Sequence, residues 1–217
     1  MLLIVGLGNP GEGYARQRHN VGFSTVEALA AGHGFGPWRE KFQSLISEGR
    51  IASPKGDVRA LLIKPQTFYN NSGEAVRAAA QFHKSSTGQI VVFHDELDLA
   101  PARFRMKKGG GHGGNNGIRS ISAHVSPDVR RGRIGIGHPG DKDRVQGHVL
   151  SDFGKAERAG IDMLIEAIVR SAGFMAAGDD ERFQTEVLRL APAPKMDPKQ
   201  AARNGATPPE EETPDGL

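Results

Sequence analysis

A chain of 217 residues with 29 glycines and no cysteine fits one domain with length left for a tail, and it excludes disulfides and thiolate metal sites. The net charge is +3, divided into −2 over residues 192–217 and +5 over the body before them; a mildly basic body suits nucleic acid but also many ordinary enzymes. No apolar run approaches the roughly 20 residues needed to span a bilayer, and Met1 leads into Leu2-Leu3-Ile4-Val5 without a basic n-region, so the protein is expected to be soluble and cytoplasmic.

Leu2–Val5 reads as the first strand, and it runs into Gly6-Leu7-Gly8-Asn9-Pro10-Gly11. A strand followed by a glycine turn invites a dinucleotide-binding reading. Pro10 interrupts the helix start, however, and no acidic ribose partner follows a second strand. A helix is expected over Gly22–Ala31, with Val26, Leu29 and Ala30 on one face. Leu45–Ile51 and Val58–Ile63 form a hairpin around Ser53-Pro54-Lys55-Gly56-Asp57, which is strong turn chemistry. Ala75, Ala78, Ala79 and Phe82 recur at helical spacing, with Asn71 and Glu74 placed as a cap pair. Strands follow at Ile90–Phe93, Ala102–Met106 and Arg133–Gly137. The clearest helix is Lys155–Ala177, where Ile161, Leu164, Ile165, Ile168, Ala172 and Met175 make one apolar stripe before Gly178. Past Ala191 the chain is rich in Pro, Ala, Glu and Lys without apolar periodicity, which predicts a disordered tail over 192–217. Strands alternating with helices, together with the hairpin, predict a single α/β domain over 1–191 with a mixed central β-sheet flanked by helices.

Chemistry concentrates in three places. Gly109–Gly117 (GGGHGGNNG) is glycine at six of nine positions and follows Lys107-Lys108. Glycine inside an element costs roughly 0.5–1 kcal/mol relative to alanine, so such a run belongs where backbone needs φ > 0 or a polar ligand approaches it closely. His19 follows the first strand-end loop and Asp95 follows Ile90–Phe93. A histidine titrates near pH 6.5, and a carboxylate on its other nitrogen fixes the tautomer and stabilises the imidazolium. No serine or cysteine stands out as a nucleophile, so water would attack. Alone, such a pair reads first as a surface histidine and a capping aspartate. Asn9, Asn20, Asn70, Asn71, Asn115 and Asn116 shift that balance, because they fall in loops beside the strand ends or the glycine run. Neutral amides there can hold substrate and donate to an oxyanion, although asparagine is also a common turn residue. His94, His112, His138 and His148 form no familiar ligand spacing with a carboxylate or second histidine, so no metal is expected.

These residues carry a resemblance to a known family. Gly6-Leu7-Gly8-Asn9-Pro10-Gly11, Tyr14, Arg18-His19-Asn20 and Gly22 look like the opening of bacterial peptidyl-tRNA hydrolase. The likeness continues through Lys64–Gly73 (KPQTFYNNSG), His94–Asp98 (HDELD), Lys107–Gly117 and Arg133–Gly140 (RIGIGHPG). The resemblance implies a monomeric, cofactor-free α/β enzyme that hydrolyses the ester joining a peptide to the 3′ end of tRNA, with the acceptor stem and CCA end as its partner. It implies His19 as base and Asp95 as its orienting carboxylate. Asn9, Asn70 and Asn116 match amides that hold substrate and water, and Tyr14 and Asn20 are expected to line the same cleft. Lys107 and Arg133 match residues that grip the tRNA 5′ phosphate. Family members commonly carry methionine where Tyr69 stands and histidine where Asn115 stands. Both positions are expected to flank the channel for peptide and acceptor end without touching the base or its partner. The rival reading is a non-catalytic RNA-binding protein on the same fold, against which the joint presence of His19, Asp95 and the amides speaks.

Overall fold

The computed structural model of the protein describes residues 1–192; almost all of the expected tail therefore lies outside the described residues. Seven strands form one sheet: β1 (Leu2–Gly6), β2 (Arg39–Lys41), β3 (Ser44–Ile51), β4 (Val58–Pro65), β5 (Ile90–Glu96), β6 (Phe104–Lys108) and β7 (Arg130–Gly135). Their order is β2-β3-β4-β1-β5-β7-β6. β4, β1, β5 and β7 run parallel, while β2 and β3 on one edge and β6 on the other are antiparallel to their inner neighbours. The mixed sheet and the 45–63 hairpin are as the sequence predicts.

Strand alternation splits the core in two. Leu2, Ile4, Leu62, Val91 and Phe93 pack on one face against α1 (Val21–Gly32), α5 (Lys155–Ala176) and α6 (Asp180–Leu190). Leu3, Val5, Leu61, Ile63 and Val92 pack on the other face against α2 (Ser72–His83) and α3 (Asn116–His124). Successive side chains of a strand point to opposite faces. A strand that reads as an unbroken apolar run is therefore one covered on both sides.

The departures from expectation have physical causes. β7 starts at Arg130, three residues early, because two arginines lie buried inside it. Arg130 pairs with Asp180 of α6, and Arg131 donates to the carbonyls of Gly109, Gly110 and Gly111; paired guanidinium groups tolerate burial but are invisible to an apolar pattern. β6 begins at Phe104 rather than Ala102, whose φ is +59°. β2 is an exposed Arg-Glu-Lys edge held by its ladder to β3. The glycine run ends in α3 instead of continuing as loop. Asn71 occupies the N-cap of α2 but makes no side-chain cap bond.

Two glycines set how α1 meets the sheet. A Cβ on Gly6 would lie 2.2 Å from the Gly22 carbonyl oxygen, and one on Gly22 2.5 Å from the Leu7 nitrogen. Backbone therefore packs on backbone, and the start of α1, with His19 just before it, is drawn onto the end of β1.

Candidate active site

β1 continues through α1 toward one edge of the sheet, whereas β5 continues toward the other. Their carboxyl ends therefore flank the point where strand order reverses, the place where an open α/β sheet leaves a crevice. A cleft of about 660 Å³ opens there. Asn9, His19, Tyr69, Asn70, Asp95 and Glu96 line it from the strand ends, and Gly113, Gly114, Asn115, Asn116 and Arg119 line it from the glycine run and α3. Lys142, Val145, Gln146, Val149 and Leu150 form the remaining wall, contributed by a 3-10 turn (Lys142–Arg144) and α4 (Val145–Val149).

His19 sits in a 3-10 turn, Arg18–Asn20, fastened from behind. The buried Arg18 side chain bonds Ser151 Oγ and Glu157 Oε2, each at 2.6 Å, and the backbone of Gln17 bridges to Asp152. His19 Nδ1 lies 2.9 Å from Asp95 Oδ2, with side-chain exposures of 17% and 2%. That contact places the imidazole proton on Nδ1 and leaves Nε2 with its lone pair, the tautomer a general base needs. Burial pushes the Asp95 carboxyl up. His19 and the hydrogen bonds from His19 and Tyr69 outweigh that effect and hold it below the ordinary carboxylate value. Asp95 therefore stays ionised at neutral pH.

Asn9 ties the first loop to the rest of the site. Its Oδ1 accepts from the Tyr69 backbone N–H at 3.0 Å, and the Asn20 amide brackets its backbone, accepting from its N–H and donating to its carbonyl, each at 2.9 Å. No hydrogen-bond partner within the described residues takes up the Asn9 Nδ2, which is the donor left for a ligand. Asn70 and Asn116 are exposed on the cleft wall.

Several expectations need correction. Asn20 is buried, and both ends of its amide are committed to Asn9, so it holds the loop and does not line the cleft. Tyr14 also lies off the cleft wall, half-exposed in a separate 3-10 turn, Glu12–Tyr14. Of the run's glycines only Gly113 and Gly114 reach the cleft, beside Asn115 and Asn116, while the carbonyls of Gly109–Gly111 turn toward Arg131. The need for φ > 0 does hold, at Gly109, Gly110, Gly113 and Gly114. Lys107 and Arg133 lie outside the cleft on β6 and β7, Lys107 exposed and Arg133 paired to Glu96 Oε2 at 2.8 Å. Phe68, Glu96, Arg119, Lys142 and Gln146 join the cleft without having been singled out from sequence. Only Phe68 carries a signal, a large apolar residue in a polar loop that is 60% exposed. Among the described residues no group of three or more His, Asp or Glu could hold a metal ion, and no helix is long and apolar enough to cross a membrane.

The sequence profile of peptidyl-tRNA hydrolase matches residues 3–195. The chain belongs to the peptidyl-tRNA hydrolase family. It is 56% identical to the peptidyl-tRNA hydrolase of Hyphomonas neptunium over 94% of this chain and 99% of that one. It is 54% identical to that of Caulobacter vibrioides over 94% of this chain and all of the relative. The crystal structure of peptidyl-tRNA hydrolase from Acinetobacter baumannii superposes with a TM-score of 0.82 at 39% identity, covering 89% of this chain and 97% of that one.

In this peptidyl-tRNA hydrolase family member Tyr69 and Asn115 are not bystanders. Tyr69 is buried, its ring stacks on His19 with centroids 3.5 Å apart and planes 14° from parallel, and its hydroxyl donates to Asp95 Oδ1 at 2.5 Å. Asn115 Nδ2 donates to that hydroxyl at 3.0 Å. Both residues line the cleft, yet the Tyr69 hydroxyl and the Asn115 Nδ2 turn toward the partner of the base. Sequence could not show this, because the contacts join segments 26 and 46 residues apart.

Proposed function

We propose that the protein hydrolyses the ester between a peptide, or an N-blocked aminoacyl group, and the 3′ end of tRNA. It would recycle tRNA from peptidyl-tRNA released prematurely by ribosomes, as a cytoplasmic monomer whose catalytic body is residues 1–191. The observation that carries this reading is the His19–Asp95 pair, 2.9 Å apart at the wall of a polar cleft. His19 Nε2 takes a proton from water as the oxygen attacks the ester carbonyl. The tetrahedral intermediate then expels the ribose 3′ oxygen, which receives that proton from the imidazolium. Amides of Asn9, Asn70 and Asn116 hold the water and the acyl oxygen; one such donor supplies about 10²–10³ in rate. Incubation with N-acetyl-aminoacyl-tRNA tests the reading. Release of the blocked amino acid is expected, whereas binding without release would favour the non-catalytic RNA-binding alternative.

A chelator is expected to leave hydrolysis intact, since a histidine base acting on an activated ester needs no Lewis acid. The check is the rate after EDTA with tRNA folding held constant. Complete loss restored by one divalent ion would overturn the mechanism.

Lys107 and Arg133 are the residues proposed to grip the 5′ phosphate. Arg105 lies directly across from Arg133, and Lys107 across from Arg131, so β6 and β7 place four cations on one face. Like charges directly opposite each other destabilise a sheet, and an incoming phosphate relieves that repulsion. Lys107→Ala and Arg133→Ala are expected to raise KM and flatten its salt dependence with kcat nearly unchanged, because such contacts are equal in ground and transition states. Arg133→Ala has the smaller effect, since Glu96 already neutralises part of its charge. A short substrate lacking the 5′ phosphate serves as control. Equal damage on that substrate would make these residues structural or catalytic.

A further inference from the structure

The Asp95 carboxylate is almost fully buried, and each of its oxygens has one close donor, with the Asn115 Nδ2 a longer third contact 3.5 Å from Oδ1. Oδ2 faces His19, while Oδ1 takes the Tyr69 hydroxyl at 2.5 Å, a length typical of an O–H donating to an ionised oxygen. The chain of contacts extends further back. Asn115 is the N-cap of α3, its Oδ1 accepting from the Ile118 N–H at 3.0 Å. That bond fixes the amide orientation and turns Nδ2 toward Tyr69. With a hydroxyl lone pair occupied by Asn115, the single hydroxyl proton is directed to Asp95. Gly117 makes room for the ring: a Cβ there would lie 2.4 Å from Tyr69 Cε1.

We propose, resting on the hydrolytic reading above, that Tyr69 is a positioning residue oriented by the cap of α3. Its ring face sets the plane of the His19 imidazole, and its hydroxyl holds Asp95 in the orientation that keeps the proton on His19 Nδ1. Burial, followed by the neighbouring Asp95 charge, pushes the phenol well above its ordinary value, so it remains a donor over the working pH range. The other charged or titratable groups near the pair are His94, which neighbours Asp95 on β5, and Glu96, Arg119 and Lys142 on the cleft wall. None of them donates to Oδ1.

Tyr69→Phe keeps the stacked ring and removes only the hydroxyl. Asp95, relieved of one donor, then becomes a stronger acceptor for His19 and favours the imidazolium. Hydrolysis of N-acetyl-aminoacyl-tRNA is expected to fall about ten-fold in kcat/KM, with the acidic limb of its pH profile moved up by roughly half to one unit. Asn115→Ser preserves a capping oxygen but removes the amide donor. It is expected to cost less than Tyr69→Phe, and the double variant to cost less than the product of the two single effects, because Asn115 acts chiefly through the Tyr69 hydroxyl at 3.0 Å and only secondarily through its longer contacts to Asp95. The downfield Nδ1–H proton resonance of His19, identified by its loss in His19→Ala, reads the same contact without hydrolysis and is expected to shift in Tyr69→Phe. A folded Tyr69→Phe protein with an unmoved acidic limb and an unmoved resonance overturns the proposal. Failure of the wild-type protein to release the blocked amino acid overturns the hydrolytic reading and this kinetic role with it, and a shifted resonance in that case leaves only a structural clamp.

Discussion

His19→Ala is expected to lower kcat for N-acetyl-aminoacyl-tRNA by about 10²–10⁴-fold, the usual worth of a general base, with little loss of tRNA affinity. His19 lines the cleft while its Nδ1 is held by Asp95, so Nε2 is the group in position to accept a proton from water. The proposed phosphate contacts lie elsewhere, on β6 and β7, and should survive the change. Binding measured by filter retention and turnover measured by acyl release separate the two effects. A folded His19→Ala protein that hydrolyses at near-normal rate would remove the general-base mechanism.

Asp95→Asn is expected to cost less than His19→Ala, because it perturbs the tautomer and the imidazolium rather than removing the imidazole. The geometry gives the reason for a large effect. His19 Nδ1–H and the Tyr69 hydroxyl each donate to a different oxygen of Asp95, and asparagine has only one acceptor oxygen to offer. If the amide NH₂ turns to His19, the imidazole adopts the tautomer with its proton on Nε2 and can no longer accept one from water. A greater loss than in His19→Ala would reverse the assigned roles. The stability of the variants should follow pH in a defined sense. The Asp95 carboxyl is held below its ordinary value in the fold, so its contribution is present above about pH 4 and is lost as pH falls through the folded value. The difference in unfolding free energy between the wild-type protein and Asp95→Asn is therefore expected to narrow from pH 7 toward pH 3, measured by denaturant titration.

The sequence by itself determined much of this protein. Apolar runs at Leu2–Val5, Val58–Ile63 and Ile90–Phe93 become central strands, because a strand covered on both faces is apolar at nearly every position. The stripe from Ile161 to Met175 is α5, and the turn chemistry at Ser53–Asp57 joins β3 to β4. The order of the motifs carried the family, and with it His19 and Asp95. What only the tertiary structure decided depends on charges and on contacts between distant segments. Arg130 and Arg131 are strand residues because Asp180 and the glycine-loop carbonyls satisfy their guanidinium groups. Asn20 left the cleft because its amide closes on the backbone of Asn9. Tyr69 and Asn115 became supports of Asp95 as well as cleft walls, since the phenol, carried by the turn before α2, reaches the carboxylate only when that turn packs on the end of β5 and the cap of α3 closes on the hydroxyl. A side chain's partner across the fold leaves no periodic trace in sequence; it is set by which strand ends the sheet topology brings side by side.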